Sequence, residues 1–159
     1  PNIIHKYMVK LEKLGKLKAI VTQNIDGLHT KAGSNNVLEL HGSIYKNHCI
    51  KCGKFYDEKY VFNSKDIPLC ECGGIIKPDV VLYGEMLDEY TLNRSIEVIS
   101  SCDTLIVAVT SLTVEPASSL VRLFRGKNLV IINRDATNYD SYASLVIHDE
   151  FKNVFDKLN

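Results

Sequence analysis

Four cysteines in one short stretch are the residues of this 159-residue chain whose spacing points most directly to chemistry. Cys49 and Cys52 form a C-x-x-C pair, and Cys70 and Cys72 form a C-x-C pair. Two such pairs let four thiolates converge on one ion, and four protein ligands leave no open coordination position. In a reducing compartment this clustering favours a metal site over two disulfides. The pattern predicts one structural Zn²⁺, with free thiols in a loop as the alternative.

A second group of polar residues follows three apolar stretches, at 19–22, 104–109 and 129–132, which are predicted to be buried strands. These residues are Gln23 and Asn24, then Thr110 and Ser111, and lastly Asn133. In open α/β sheets, ligands bind at the carboxyl ends of the strands. The arrangement therefore predicts a ligand site built from three strand ends. The alternative is that these residues only cap helices or turn the chain.

The elements that must position both groups alternate along the chain. Helices are predicted at 3–15, 88–101, 114–125 and 150–158, and short apolar, strand-like stretches recur at 37–40, 80–83 and 145–147. Apolar strands separated by helices indicate a parallel sheet covered on both faces. Residues 44–79 differ, because they hold the four clustered cysteines and several glycines and show little periodicity. They are interpreted as an inserted module in an α/β fold.

The stretch T-Q-N-I-D-G-L-H at 22–29 is the point where the chain resembles a known family, the sirtuins. Further family motifs follow in order: E-L-H-G at 39–42, the cysteine pairs, K-P-D-V-V-L-Y-G-E at 77–85, T-S-L at 110–112 and I-N at 132–133. Sirtuins of the bacterial type are NAD-dependent protein deacylases. The resemblance implies a Rossmann-like NAD-binding domain at 1–43 and 80–159, with helices on both faces of its sheet, and a zinc-binding module at 44–79.

His41 and Asn24 are the catalytic residues that the resemblance implies. In sirtuins the carbonyl oxygen of acyl-lysine attacks the nicotinamide ribose and expels nicotinamide. The family histidine then takes a proton from a ribose hydroxyl, and the products are lysine, nicotinamide and O-acyl-ADP-ribose. Histidine suits this task because its unperturbed pKa of about 6.5 lies near working pH. Taken alone, a histidine here would favour the alternative of a polar residue that ends a strand before Gly42, and the E-L-H-G match is what points to catalysis.

The resemblance also implies which residues bind NAD and the substrate. The residues for the nicotinamide end are Gln23, Asn24, Ile25 and Asp26, and those for the adenosine half are Thr110, Ser111 and Asn133. The stretch that resembles the family's substrate-pairing strand comprises Val81, Leu82, Tyr83, Gly84 and Glu85. Main-chain pairing with an extended acyl-lysine peptide would tolerate many sequences. An ordinary core strand is the alternative for this stretch.

Two positions depart from the family pattern. Val109, the last residue of a predicted strand, stands where glycine is usual, and Glu115 stands where tyrosine or glutamine is usual. Both are expected to weaken adenosine binding, unless the Val109 side chain points into the core. Replacing Val109 by glycine is expected to lower the stability of the strand slightly.

The family's glycine-rich G-A-G-x-S loop, which cradles the NAD phosphates, does not occur in these 159 residues. Because close approach to phosphate needs glycine, we expect the chain by itself to be inactive. The alternatives to a deacylase are a catalytically dead, zinc-containing peptide-binding module and an ADP-ribosyltransferase.

Composition and charge disfavour two further classes of protein, nucleic-acid binders and membrane proteins. The 19 basic and 19 acidic residues cancel, so the basic footprint of a nucleic-acid binder is missing and a zinc-ribbon reader of nucleic acid is disfavoured. No apolar run approaches the ~20 residues that span a bilayer, and no signal peptide is recognisable. We expect a cytoplasmic monomer that acts on acylated lysine in proteins or peptides and binds neither nucleic acid nor membranes.

Overall fold

The computed structural model describes residues 1–110, 112–113 and 115–157. Within these ranges the chain forms short strands and helices that largely alternate. The helices are α1 (Ile3–Lys13), α2 (Leu28–Ala32), α3 (Glu58–Phe62), α4 (Glu89–Ser101), α5 (Ala117–Val121) and α6 (Phe151–Asp156). The strands are β1 (Ile20–Thr22), β2 (Val37–Glu39), β3 (Gly42–Cys49), β4 (Phe55–Asp57), β5 (Ile76–Val80), β6 (Thr104–Ala108), β7 (Asn128–Ile132) and β8 (Leu145–Ile147).

The apolar strands pair in parallel, as their composition predicts. β1 pairs with β2, and β6, β7 and β8 form a second sheet in that order. In the described part of the chain these are two separate parallel sheets. Helix α4 links them, because its buried Ile99 belongs to an apolar cluster against which Val21 of β1 and Leu105 of β6 also pack. Both sheets therefore share one packing partner, as in a Rossmann-like layered fold.

The main core lies between the three-stranded parallel sheet and α5. Val107 of β6 lies opposite Ile131 of β7, so their side chains fall on the same face. Both pack with Val121 of α5 and with Leu129. Ile131 is 1% exposed, and full burial of such a side chain stabilises a fold by roughly 1.5–3 kcal/mol.

A three-stranded antiparallel sheet, in the order β4-β3-β5, spans Gly42 to Val80 and carries the cysteines. The first residue of β3, Gly42, has to be glycine. Gly42 has φ +74°, and a Cβ on it would lie 1.8 Å from the Asp79 carbonyl oxygen. Only glycine permits this approach, which brings the residue after His41 directly against β5.

Two predicted elements need correction. Of the helix predicted at 114–125, Val114 lies outside the described residues, and among the described ones the α-helix runs from Ala117 to Val121. It ends there because the bonds from Leu123 N–H and Phe124 N–H reach back three residues and tighten the last turn. The strand expected at 81–85 is wrong, since β5 ends at Val80 and a turn with Gly84 at φ +86° follows.

The remaining predicted helices and strands lie where expected, to within one or two residues at most ends. Of the helices that the structure describes, none combines the length and the apolarity that a bilayer crossing requires.

Candidate functional site

The four cysteine sulfurs converge on one point. All four Sγ atoms lie within 4.8 Å of one another. Cys49 Sγ is 3.5 Å from Cys72 Sγ, and Cys52 Sγ is 3.5 Å from Cys70 Sγ. Tetrahedral thiolates bound to Zn²⁺ at ~2.3 Å would be about 3.8 Å apart. The donor set and its spacing therefore fit a structural zinc ion with no open coordination position.

Contacts from Tyr56 and Gly74 allow the two cysteine pairs to lie close together. Tyr56, on β4, donates its hydroxyl to Cys70 Sγ at 3.1 Å. Gly74 follows the second pair, and a Cβ there would lie 2.6 Å from Cys49 Sγ. Any other residue at this position would push the first pair away. The contact from Tyr56 was not predicted from the sequence, because the position of an aromatic residue along the chain does not mark it as a hydrogen-bond donor to a cysteine sulfur.

The thiols of this cluster differ in acidity. The main-chain N–H of Cys72 and the Tyr56 hydroxyl lower the pKa of Cys70 to about 6. Burial opposes ionisation of Cys49, but hydrogen bonds from the main chain at Cys52 and Lys51 outweigh it and lower its pKa. At Cys52 the Lys54 main chain favours the thiolate, yet the crowding thiols raise its pKa to about 12. A set of thiols this close ionises completely only around a cation.

His41 lies between β2 and β3 and is held in one orientation. Its Nδ1 lies 3.1 Å from the carbonyl oxygen of Gln23. Because a carbonyl only accepts, Nδ1 carries the hydrogen of the neutral ring and Nε2 keeps its lone pair. This is the tautomer that a general base needs, and the structure thus brings His41 and Gln23 together.

The residues after β1, which include the histidine's partner Gln23, carry several polar groups. The buried Gln23 Nε2 has no hydrogen-bond partner among the described residues. Asn24 is exposed, and its main-chain N–H donates to Thr22 Oγ1 at 3.1 Å. Asp26 Oδ1 accepts from Leu28 N–H at 3.0 Å and so fixes the turn into α2. An unpartnered buried amide donor fits a ligand that supplies acceptor oxygens, such as a ribose.

Ile25 contributes its main chain to this group of residues. Its carbonyl accepts from Ile44 N–H at 3.2 Å, which ties the segment after β1 to β3. The Ile25 side chain is half-buried.

Thr110 and Asn133 line a second cleft, of about 490 Å³, at the ends of β6 and β7. Thr110 Oγ1 accepts from Leu112 N–H at 3.2 Å, and Asn133 Nδ2 donates to the Asp135 carbonyl at 2.8 Å. Ser111 lies outside the described residues. No hydrogen bond between described residues joins this cleft to His41, so the two halves of the predicted site are separate groups.

Val109 lines the same cleft in a strained conformation. β6 ends at Ala108, so Val109 is not part of the strand as expected. It has φ +54°, which a β-branched residue rarely adopts. Its side chain is 73% exposed, which rules out the alternative that it points into the core.

Glu115 caps α5. Its carboxylate accepts from the Ser118 hydroxyl and from Ser119 N–H, the latter at 3.1 Å. These hydrogen bonds lower its pKa. The residue that departs from the family pattern therefore has a local structural partner, and its expected effect on adenosine binding stays a prediction.

The stretch 81–85 is a turn on the surface beside His41. Val81 N–H donates to the His41 carbonyl at 3.0 Å, and Tyr83 and Met86 expose nearly all of their side chains. A larger groove, of about 900 Å³, lies between α5 and residues 137–144 and is lined by none of the predicted site residues.

Parallel strands with polar residues at their carboxyl ends, and an inserted sheet with four converging thiols, define a Rossmann-like α/β protein with a metal-binding module. The model of the Sir2 family matches residues 1–116. The chain therefore belongs to the Sir2 family, the sirtuins, as its motifs predicted.

Relatives at high identity come from clostridia. The NAD-dependent protein deacetylase of Clostridium perfringens is 56% identical over 160 residues, which cover 99% of this chain and 66% of that protein. The NAD-dependent protein deacetylase of Clostridium acetobutylicum is 56% identical over 158 residues, covering 98% and 64%. The chain thus spans slightly less than two thirds of the length of these relatives.

Solved structures agree with this assignment. A structure of Sir2 bound to an acetylated peptide superimposes with a TM-score of 0.92 at 36% identity, over 99% of this chain and 69% of that one. A Sir2 complex with a p53 peptide and NAD⁺ gives a TM-score of 0.92 at 36% identity, over 99% and 68%.

Proposed function

We propose that the protein containing this chain is an NAD-dependent protein-lysine deacetylase, with NAD as co-substrate and one structural Zn²⁺. The observation that carries the proposal is the state of His41, whose Nδ1–H is held by the Gln23 carbonyl so that Nε2 is free to accept a proton. The names of the clostridial relatives and the peptide-bound Sir2 structures support it.

NAD would supply the activated ribose to which the acyl oxygen is transferred. His41 would accept a proton from a ribose hydroxyl at Nε2, as a general base. The buried Gln23 amide would donate to ribose oxygen, and the exposed Asn24 amide would hold a hydroxyl or a water. The Asp26 carboxylate retains an oxygen that can accept from a carboxamide N–H₂, because Leu28 N–H occupies only Oδ1.

Thr110, Ser111 and Asn133 would bind the adenosine half. Cys49, Cys52, Cys70 and Cys72 would hold the zinc ion, which supplies folding stability and no catalytic step, because four thiolates leave it no position for a substrate. The main chain at 81–85 would pair with the acyl-lysine peptide.

The test measures nicotinamide release and lysine formation by the complete protein with NAD and an acetyl-lysine peptide. The same peptide with unmodified lysine is the matched control. We expect release of one nicotinamide per lysine formed, with acetylated peptide only. Nicotinamide release without lysine formation, with ADP-ribose transferred to protein, would support an ADP-ribosyltransferase instead. No release at all would favour a catalytically dead peptide-binding module.

Residues 1–159 by themselves are proposed to be inactive, because they contain no G-A-G string to cradle the phosphates. Turnover by this chain alone would contradict that part of the proposal. The zero net charge supports a protein substrate over nucleic acid. The monomeric state and the cytoplasmic location stay predictions.

A further inference from the structure

The surface turn that follows β5 is fixed at both ends. At its start, Val81 N–H donates to the carbonyl of His41 at 3.0 Å. At its end, Glu85 N–H donates to the Leu82 carbonyl at 3.0 Å and closes the turn. Between them, the main chain of Tyr83 makes no hydrogen bond to another described residue. A turn with a free main-chain edge next to His41 must be held in place by something other than a neighbouring strand.

The Glu85 carboxylate supplies that support. Its two oxygens lie 2.7 and 2.8 Å from Lys77 Nζ, and Oε2 also accepts from Leu82 N–H at 2.9 Å. Lys77 Nζ reaches the Val80 carbonyl at 3.5 Å as well. These contacts lower the pKa of Glu85. A carboxylate with this many donors is committed to its own chain and is not available to a substrate.

Lys77 connects the turn to the sheet that begins next to His41. It lies on β5 opposite His48 of β3, and beyond a bulge in β3 between Ser43 and Asn47 the same strand places Val80 opposite Gly42. Because Gly42 directly follows His41, β5 leads from Lys77 to a residue beside the histidine. The pair's position is therefore suited to aligning an acyl-lysine with the general base.

We propose that Lys77 and Glu85 are positioning residues that align the acyl-lysine peptide through the turn at 82–85. The inference rests on the proposed function, and it changes the role of Glu85, which the family resemblance implied to bind substrate. Glu85 acts through the main chain of the turn, and the free edge at Tyr83 makes the contact with the peptide.

Because the Lys77–Glu85 ion pair is partly exposed, a role in positioning the peptide can be distinguished from a role in folding stability. The Lys77 side chain is 36% exposed and the Glu85 side chain is 43% exposed. Ion pairs this open contribute little to folding, because water and salt screen them. Loss of the pair is therefore expected to appear in peptide recognition and not in the unfolding midpoint.

Steady-state kinetics of the complete protein test the proposal with variants Lys77→Met and Glu85→Gln. We expect the KM for an acetyl-lysine peptide to rise roughly threefold to tenfold, the scale of a charge-assisted hydrogen bond that is partly exposed. The kcat and the KM for NAD should stay within about twofold of the parent, because neither the histidine nor the cofactor residues change. Lys77→Arg should restore the parent KM.

An equivalent ion pair elsewhere is the matched control. Arg94 Nη1 lies 2.5 Å from Glu97 Oε2 on α4, outside every predicted site, and Glu97→Gln should leave all constants unchanged. Amide hydrogen exchange gives a second readout, since the Leu82 N–H should exchange faster in Glu85→Ala than in the parent.

Two results would overturn the proposal: a peptide KM unchanged in both variants, or kcat and the KM for NAD altered as much as the peptide KM. A parent without turnover contradicts the proposed function instead. The positioning role is then judged by anisotropy of a labelled acetyl-lysine peptide, where equal affinity of parent and variants refutes it.

Discussion

The four thiols of the cysteine cluster come from a single stretch, Cys49 to Cys72, whereas the residues at the ends of the parallel strands come from positions 23 to 133. The cluster is built on one antiparallel sheet, and its sulfurs contact each other directly. The strand ends form two groups, one around His41 and one around Asn133, without a hydrogen bond between them in the described residues.

The two regions differ in whether their own residues complete the site. The cysteine module contains every ligand that its ion needs, so metal binding and local folding are one event. The strand ends keep the Gln23 amide without a partner and hold Val109 at a strained φ. Such features persist where a ligand completes the site. We therefore interpret the module as a structural centre and propose that the strand ends form a binding surface.

Metal removal should have the largest effect of all and tests whether the module depends on its ion. Structural zinc contributes ~10 kcal/mol or more to small metal domains, so Cys70→Ser should unfold residues 44–79. The measurement is one Zn²⁺ per chain, released by a thiol reagent and counted with a chromogenic chelator. Cys102→Ser is the matched control, because Cys102 lies outside the cluster and should leave the zinc content unchanged. If freshly reduced protein contains no zinc, the prediction that the module depends on a bound ion is wrong.

The next largest effect concerns the general base. His41→Ala in the complete protein should lower the deacetylation rate by ~10²–10⁴-fold, while NAD affinity changes little, since a base acts on a proton and not on ground-state binding. Titration with NAD and single-turnover rates separate the two. His5→Ala is the control, because His5 caps α1 and is part of no predicted site. A variant that turns over at near the parent rate shows that His41 only ends a strand.

A smaller effect is expected from Val109→Gly, which sharpens the view of the strand ends as a binding surface. Glycine adopts φ > 0 freely, whereas an L-residue there is strained by about 1–2 kcal/mol. Because Val109 lies beyond β6, the substitution should raise stability by up to about 1 kcal/mol instead of lowering it, net of the entropy of glycine in the unfolded chain.

The same substitution should tighten NAD binding by the complete protein several-fold, because the branched side chain leaves the cleft. Unfolding midpoints and NAD titrations at the same temperature and salt measure both effects. Equal NAD affinity in parent and variant would falsify the idea that Val109 obstructs the cofactor.

More of the cysteine module than of the strand-end site could be predicted from the sequence, for a physical reason. The four cysteines of the module are close along the chain, so spacing alone predicted that their sulfurs converge. Apolar composition likewise predicted the parallel strands, because burial on both faces needs side chains that are apolar throughout.

Long-range geometry was beyond the sequence. Nothing in the order of residues places Lys77 Nζ on Glu85, or the Tyr56 hydroxyl on Cys70, because both contacts depend on how β4 and β5 pair with β3. The strand expected at 81–85 failed for the same reason, since its apolar composition suits a buried strand but Gly84 turns the chain outward. Motifs therefore located the strand-end residues along the chain, while their contacts depend on how the backbone folds.

The smallest effect concerns His29, which joins the turn after β1 to α1. Its ring lies 4.7 Å from the ring of His5, and its buried Nδ1 has no partner among the described residues. Burial, followed by the charge of His5, lowers the pKa of His29, and the opposing effect of Asp26 is smaller. Between this lowered pKa and the unfolded value of about 6.5, the unfolded chain binds more protons than the folded one.

Stability should therefore rise with pH through that window, be fully present above about 6.5, and be lost as the pH falls below it. His29→Leu, which cannot be protonated, should flatten this dependence in urea unfolding between pH 5.5 and 7.5. The comparison of the two proteins removes the contribution of the cysteine thiols, which also take up protons in acid. The change should be the smallest of the four, because part of the ring is exposed and water screens its charge. If parent and variant lose stability in parallel on acidification, the contact between α1 and α2 is insensitive to the charge of His29, and the acid response belongs to the cysteine module.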